Sequence, residues 1–134
     1  MIDYEKYKEF VNAVTSKESK DSYDFGARVV DLIEKDNFPV ERLLTASVGM
    51  CAEAGEFTEI IKKIIFQGKP VNEDNLFHLK RELGDIMWYV AQACMGLNVS
   101  FNEIVEMNVE KLQARYPGGS FDVHYSENRK EGDL

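Results

Sequence analysis

Apolar residues recur at intervals of three and four along almost the whole chain. Nowhere does an alternating apolar and polar run bounded by turn residues mark a strand. The pattern predicts about five helices. The first covers about 3–15, with Tyr4, Tyr7, Phe10, Val11 and Val14 on one side, and the second about 21–36, with Phe25, Val29, Leu32 and Ile33 as its stripe. Asn37-Phe38-Pro39 interrupts the pattern, because proline disfavours helix in the residue before it. The third is long, about 40–66, and stops before Gln67-Gly68-Lys69-Pro70. Asn72 caps the fourth, with Glu73 and Asp74 where the helix dipole favours acids, and that helix runs to about 96 before Gly96-Leu97-Asn98. Ser100 and Glu103 have the spacing of a capping box for the fifth, which reaches Arg115 before Tyr116-Pro117-Gly118-Gly119.

The expected architecture is therefore all-α, a single helical domain over 1–120 followed by a polar tail over 121–134. Alone, that tail should be disordered or loosely docked, with Phe121, Val123 and Tyr125 available to pin its start. A chain of 134 residues buries a core with little to spare, so association of subunits would relieve the shortage. A formal charge of −8 makes the protein a poor partner for polymeric nucleic acid, which needs a basic stripe. It leaves small phosphorylated substrates open, because a metal ion mediates between anionic groups. Cys51 and Cys94 sit inside apolar helical patterns and predict reduced, buried thiols. The first residues carry no signal-peptide pattern, and no apolar stretch approaches the ~18 residues of a membrane span. A cytoplasmic protein without a membrane partner is expected.

Two acidic pairs change the picture. Glu53-Ala54-Gly55-Glu56 lies on the third helix and Glu82-Leu83-Gly84-Asp85 on the fourth. Residues three apart share a helical face, so each pair sets two carboxylates side by side. A glycine precedes the second acid in both; inside a helix it costs about 1 kcal/mol against alanine, which suggests a close approach to the backbone there. At ~100° per residue, Ala46, Ile64, Phe57, Met50, Leu43 and Ile61 lie at about 20–80° from Glu53, and Glu56 about 60° on its other side. Ala93, Ile86, Leu79, Leu97 and Val90 stand in the same relation to Glu82, with Asp85 again about 60° beyond. A single acid pair is ordinary solvated helix surface. Two pairs at matching offsets on helices joined by a short connection converge at one rim, where mutual repulsion raises carboxyl pKa values and a divalent cation relieves it. Ligands that are all oxygen favour Mg²⁺ or Mn²⁺ over zinc. A di-iron carboxylate bundle fails on its ligands, since neither His78 nor His124 stands three residues after a glutamate.

Asn108, Lys111 and Arg115 share one face of the fifth helix and suit a polyphosphate, although the same residues also read as solvated surface, with Glu106 and Glu110 within reach of Lys111. Lys62, Lys63 and Lys69 are weaker candidates for that role. Trp88, Phe77 and Met95 fall off the main stripe of the fourth helix, which favours a contact between subunits over an aromatic wall for a nucleobase.

Three segments together carry a resemblance: Leu43-Leu44-Thr45-Ala46 through Glu53-Ala54-Gly55-Glu56-Phe57-Thr58-Glu59-Ile60-Ile61-Lys62-Lys63, Lys80-Arg81-Glu82-Leu83-Gly84-Asp85-Ile86-Met87-Trp88-Tyr89, and Asn108-Val109-Glu110-Lys111-Leu112 with Arg115-Tyr116-Pro117-Gly118. Over about 40–120 the chain resembles the MazG-like nucleotide pyrophosphohydrolases of bacteria and phages, within the all-α NTP pyrophosphatase superfamily. The resemblance implies a Mg²⁺ site (with Mn²⁺ as a substitute) at Glu53, Glu56, Glu82 and Asp85, and triphosphate contacts from Asn108, Lys111, Arg115 and Tyr116. It implies hydrolysis of (d)NTP to (d)NMP and pyrophosphate, with Glu53 or Glu56 activating the water. It further implies a homo-oligomer, dimer or tetramer, whose core helices pack in a four-helix-bundle arrangement, working in the cytoplasm, the host's if the gene is a phage's. Many such sequences open the motif with two adjacent acids; here the first of those positions is Ala52, which puts any role of the extra acid in doubt. The alternatives are the same fold acting on a guanosine alarmone, or a non-catalytic nucleotide-binding or oligomerisation protein.

Overall fold

The computed structural model describes residues 1–129, which form six α-helices and no strand. They are α1 (Tyr4–Val14), α2 (Ser22–Glu34), α3 (Val40–Phe66), α4 (Glu73–Leu97), α5 (Phe101–Arg115) and α6 (Val123–Glu127). The chain divides into two compact units, Met1–Leu44 and Thr45–Leu134, and α3 begins in the first and runs on through the second.

In the first unit, aspartates start both helices. The Asp3 carboxylate accepts from the amides of Glu5 and Lys6, and that of Asp21 from the amides of Tyr23 and Asp24, satisfying N–H groups that have no intrahelical acceptor. Lys20 reaches back from the connection to the Asn12 carbonyl at 2.7 Å. The apolar stripe of α1 stays largely exposed, Tyr4, Tyr7, Phe10 and Val14 included.

The second unit is organised by the turn between α3 and α4. Gly68 takes a left-handed φ of 69°, open to a residue without Cβ, and the amides of Gln67 and Lys69 both donate to the Lys63 carbonyl. Asn72 caps α4 through the Asn75 amide at 2.9 Å, while buried Asn75 donates its side-chain amide to the Pro70 carbonyl at 2.7 Å. Two ties within residues 70–75 fix how α4 leaves α3, and therefore the antiparallel register of the pair. Asn75→Ala leaves that carbonyl unpaired beside a vacated site and should cost about 1–3 kcal/mol, read as a lower urea midpoint.

The α3–α4 seam is close at Gly49, which is buried; Ala46 of α3 and Cys94 of α4 are buried as well, and no large side chain among the described residues is fully enclosed. At the far end of α4, Asn98 adopts the left-handed conformation, and the amides of Asn98 and Val99 return to the carbonyls of Met95 and Cys94. Ser100 then caps α5 by accepting from the Glu103 amide at 3.1 Å.

Two expectations need correction. Cys51 is exposed, unlike Cys94, because it lies at roughly 160° from Glu53 on the outward side of α3. The start of the tail is also more ordered than its polarity suggested. Asp122 accepts from the His124 amide at 2.8 Å and Asn128 donates to the His124 carbonyl at 2.9 Å, closing the short α6 at both ends. The tail's last residues, 130–134, lie outside the described residues. Among the described residues no helix is long and apolar enough to cross a membrane.

Candidate metal centre and the family of the chain

The register set by the 67–72 turn brings Glu53 of α3 opposite Asp85 of α4, and Glu82 beside them one turn away. One carboxylate oxygen from each of Glu53, Glu82 and Asp85 lies within 4.8 Å of the others. Glu53 and Glu82 are partly buried against the seam and Asp85 is exposed, so the trio opens on one side to solvent. Glu56 lies outside this trio, exposed, a turn further along α3. Its charge still reaches Glu53.

The electrostatics follow from the crowding. Partial loss of water is the largest cause that raises the Glu53 carboxyl above the ordinary 4.5, and the charges of Asp85, Glu56 and Glu82 push the same way. A hydrogen bond between the Glu53 and Glu82 carboxyls, which needs a proton between them, adds to it. A carboxyl raised in the fold makes folding bind protons. Its contribution is fully present below about 4.5 and is lost as pH rises through the raised value. Metal-free protein should therefore lose melting temperature across that window, and Glu53→Gln should flatten this part of the profile in a chelator-containing pH series.

Further along α3, Glu59 holds Lys62 and Lys63, the latter at 3.2 Å, and both lysines keep its carboxyl below the usual range. The weaker lysine candidates at 62 and 63 are thus tied to α3 itself. His78 faces Asp74 at 3.6 Å.

The glycine expectation is met elsewhere. A Cβ at Gly55 or Gly84 would stand in open space, whereas one at Gly49 would overlap the ring of Tyr89. The close approach was not legible in the acid motifs; it falls at Gly49, four residues before Glu53 on α3.

On α5, Asn108 and Lys111 are exposed and Arg115 is half-buried. At ~100° per residue the three fall on one side of the helix. Tyr116 follows the last turn, its amide donating to the Leu112 carbonyl at 2.9 Å, with its ring 5.8 Å from that of Phe121. The opposite flank of the same segment opens a surface hollow of about 370 Å³ lined by Val109, Leu112, Gln113, Tyr116 and Phe121.

The profile of the MazG nucleotide pyrophosphohydrolase domain matches residues 42–120. The chain belongs to the MazG nucleotide pyrophosphohydrolase family. The matched span holds nearly all of α3 and the whole of α4 and α5, with Glu53, Glu56, Glu82 and Asp85 and every α5 residue named above. Gene 37 protein of Mycobacterium phage L5 is 38% identical over 81 residues, which cover 60% of this chain and 71% of the phage protein. This MazG protein thus has a phage-type relative. No solved structure matches the chain.

Proposed function

We propose that this MazG family protein is a magnesium-dependent nucleoside triphosphate pyrophosphohydrolase, cleaving (d)NTP between the α and β phosphates to (d)NMP and pyrophosphate. The observation that carries the reading is the meeting of Glu53, Glu82 and Asp85 across two helices inside the matched domain. Their donor set fits the ion: the trio offers carboxylate oxygens alone, the hard ligands that Mg²⁺ and Mn²⁺ take, with an open side for waters and phosphate. Mg²⁺, when bound, supplies Lewis-acid polarisation of phosphate oxygens.

The chain's own residues supply the rest. Glu53, Glu82 and Asp85 hold the cation, and Glu56 borders it as the fourth acid. Because Glu56 is exposed and lies outside the trio that faces the cation, it is the group placed to orient a water and take its proton as the water attacks the α-phosphorus. Glu53, its carboxyl raised first by partial loss of water and then by its acidic neighbours, serves the cation first. Asn108, Lys111 and Arg115 receive the triphosphate along one face of α5, and the positive charges there stabilise the leaving pyrophosphate. Tyr116, just past the end of α5 with its ring beside Phe121, is the last of the proposed triphosphate contacts.

The working form is a homo-oligomer. The outward side of α4 carries Phe77, Leu83, Met87, Trp88 and Met95, each more than two-fifths exposed, and the outward side of α3 carries Val48, Ile65 and Phe66. Gly84 and Gly55 stand in open space on these same sides, which lets another helix approach closely. A chain whose buried apolar residues, among those described, are Ala46 and Cys94 needs a partner to complete its core, and α3–α4 pairs from two copies would form a four-helix bundle.

The test is a panel of (d)NTPs and guanosine alarmones incubated with purified protein, with Mg²⁺ or with chelator. Monophosphate and pyrophosphate formed from a triphosphate, in Mg²⁺ alone, is the expected result. Turnover restricted to alarmones would move the substrate. Nucleotide binding without any turnover would make the protein a regulator.

A further inference from the structure

Equal steps away from the acids meet the same partner helix. Moving three residues from Glu53 to Glu56 on α3 matches three from Asp85 to Glu82 on α4, as an antiparallel pair requires. Moving four residues the other way reaches Gly49 on α3 and Tyr89 on α4. Those two touch. Gly49 is buried, and any Cβ placed on it would run into three atoms of the Tyr89 ring. The tyrosine ring thus rests directly on the α3 backbone, one helical turn from the acid trio. Trp88 sits edge-on to that ring, with centroids 4.8 Å apart and planes at 89°, which limits where it can swing.

We infer that Gly49 and Tyr89 form a positioning pair: the ring seated on a backbone without a side chain sets the α3–α4 separation one turn from Glu53 and Asp85, and so fixes the spacing of the carboxylates that face the cation. The pair touches neither substrate nor metal. Its role rests on the reading of the trio as a cation site. Helix axes pack about 8–10 Å apart according to the side chains at the contact, and Gly49 with a flat ring selects one separation. Mg²⁺ demands oxygen distances near 2.0–2.1 Å in rigid octahedral geometry, whereas Ca²⁺ accepts about 2.3–2.6 Å with looser geometry. A small widening of the pair therefore penalises the smaller ion most.

The experiment uses the full chain and four variants: Gly49→Ala, Tyr89→Leu, Gly49→Ala with Tyr89→Leu, and Tyr89→Phe. Mg²⁺ and Ca²⁺ affinities are measured by calorimetry without nucleotide, and carboxylate separations by crystallography of the metal-free proteins. Gly49→Ala should push Glu53 and Asp85 apart and weaken Mg²⁺ by about 10-fold or more, the scale at which supporting residues act on a metal site. Ca²⁺ should weaken less, so the Mg²⁺ to Ca²⁺ preference falls. Removing the ring in the double variant should restore both spacing and preference, and Tyr89→Phe, which keeps the ring, should change neither. A role in stability alone would lower the melting temperature and leave the ion preference where it was. If Gly49→Ala is unstable, Tyr89→Leu reads the same spacing from the other side. Unchanged separation and unchanged preference in the folded variants overturn the inference. Wild-type protein that binds no Mg²⁺, while Gly49→Ala still spreads the carboxylates, would sink the cation reading and leave the spacing role standing.

Discussion

Glu56→Gln should leave a folded, metal-binding protein with triphosphate hydrolysis reduced by roughly 10²–10⁴-fold, the scale of a lost general base. The expectation comes from the difference between the four acids. Glu53, Glu82 and Asp85 converge within 4.8 Å of one another, and Glu56 stays exposed beside them. Glutamine keeps the size and helix propensity of the side chain but accepts no proton at neutral pH. The far-ultraviolet circular dichroism should be that of the wild type, and Mg²⁺ should still raise the melting temperature. Glu53→Gln should behave differently, losing turnover and the Mg²⁺-dependent stabilisation together, because it removes a member of the trio. Measuring both variants for pyrophosphate release and for thermal shift with Mg²⁺ separates the roles. Full activity in Glu56→Gln would assign the water to another group.

Trp88→Asp should convert an assembly into single chains of 15.4 kDa. Trp88 is 55% exposed on one chain and lies on the same flank of α4 as Phe77 and Met95, next to Met87. Covering a large aromatic side chain is worth about 1.5–3 kcal/mol per copy, and a buried, unpaired carboxylate in its place costs several kcal/mol more. An isologous contact repeats the change on both copies, so the loss doubles. Sedimentation or light scattering on dilute protein reads the mass directly. Wild-type protein that already runs as a single chain would refute the proposed self-association, and the exposed faces of α3 and α4 would then need another partner.

Local signals along the chain were sufficient for the five longer helices. Gly68 and Pro70 after α3, Asn72 before α4, Asn98 after it and Ser100 before α5 all act where they stand, through φ preference or a side chain that meets a nearby amide. Short-range chemistry of this kind needs no partner distant in sequence. The acid pairs were legible for a related reason: spacing of three on a helix fixes a shared face, and two equal offsets across a short turn imply convergence. α6 was not legible, because Asp122 and Asn128 close a helix too short to show a period of its own.

By itself, then, the sequence determined the five longer helices, the caps at Asn72 and Ser100, the two acid pairs that each share a helical face, and the family to which the chain belongs. Only the tertiary structure decided which three acids meet, that Glu56 stays outside them, and that the tight approach falls at Gly49 under Tyr89, away from Gly55 and Gly84. The reason is physical. Helical faces are fixed by angles along one chain, whereas the distance between two helices depends on the side chains packed between them, and here Gly49 meets the Tyr89 ring.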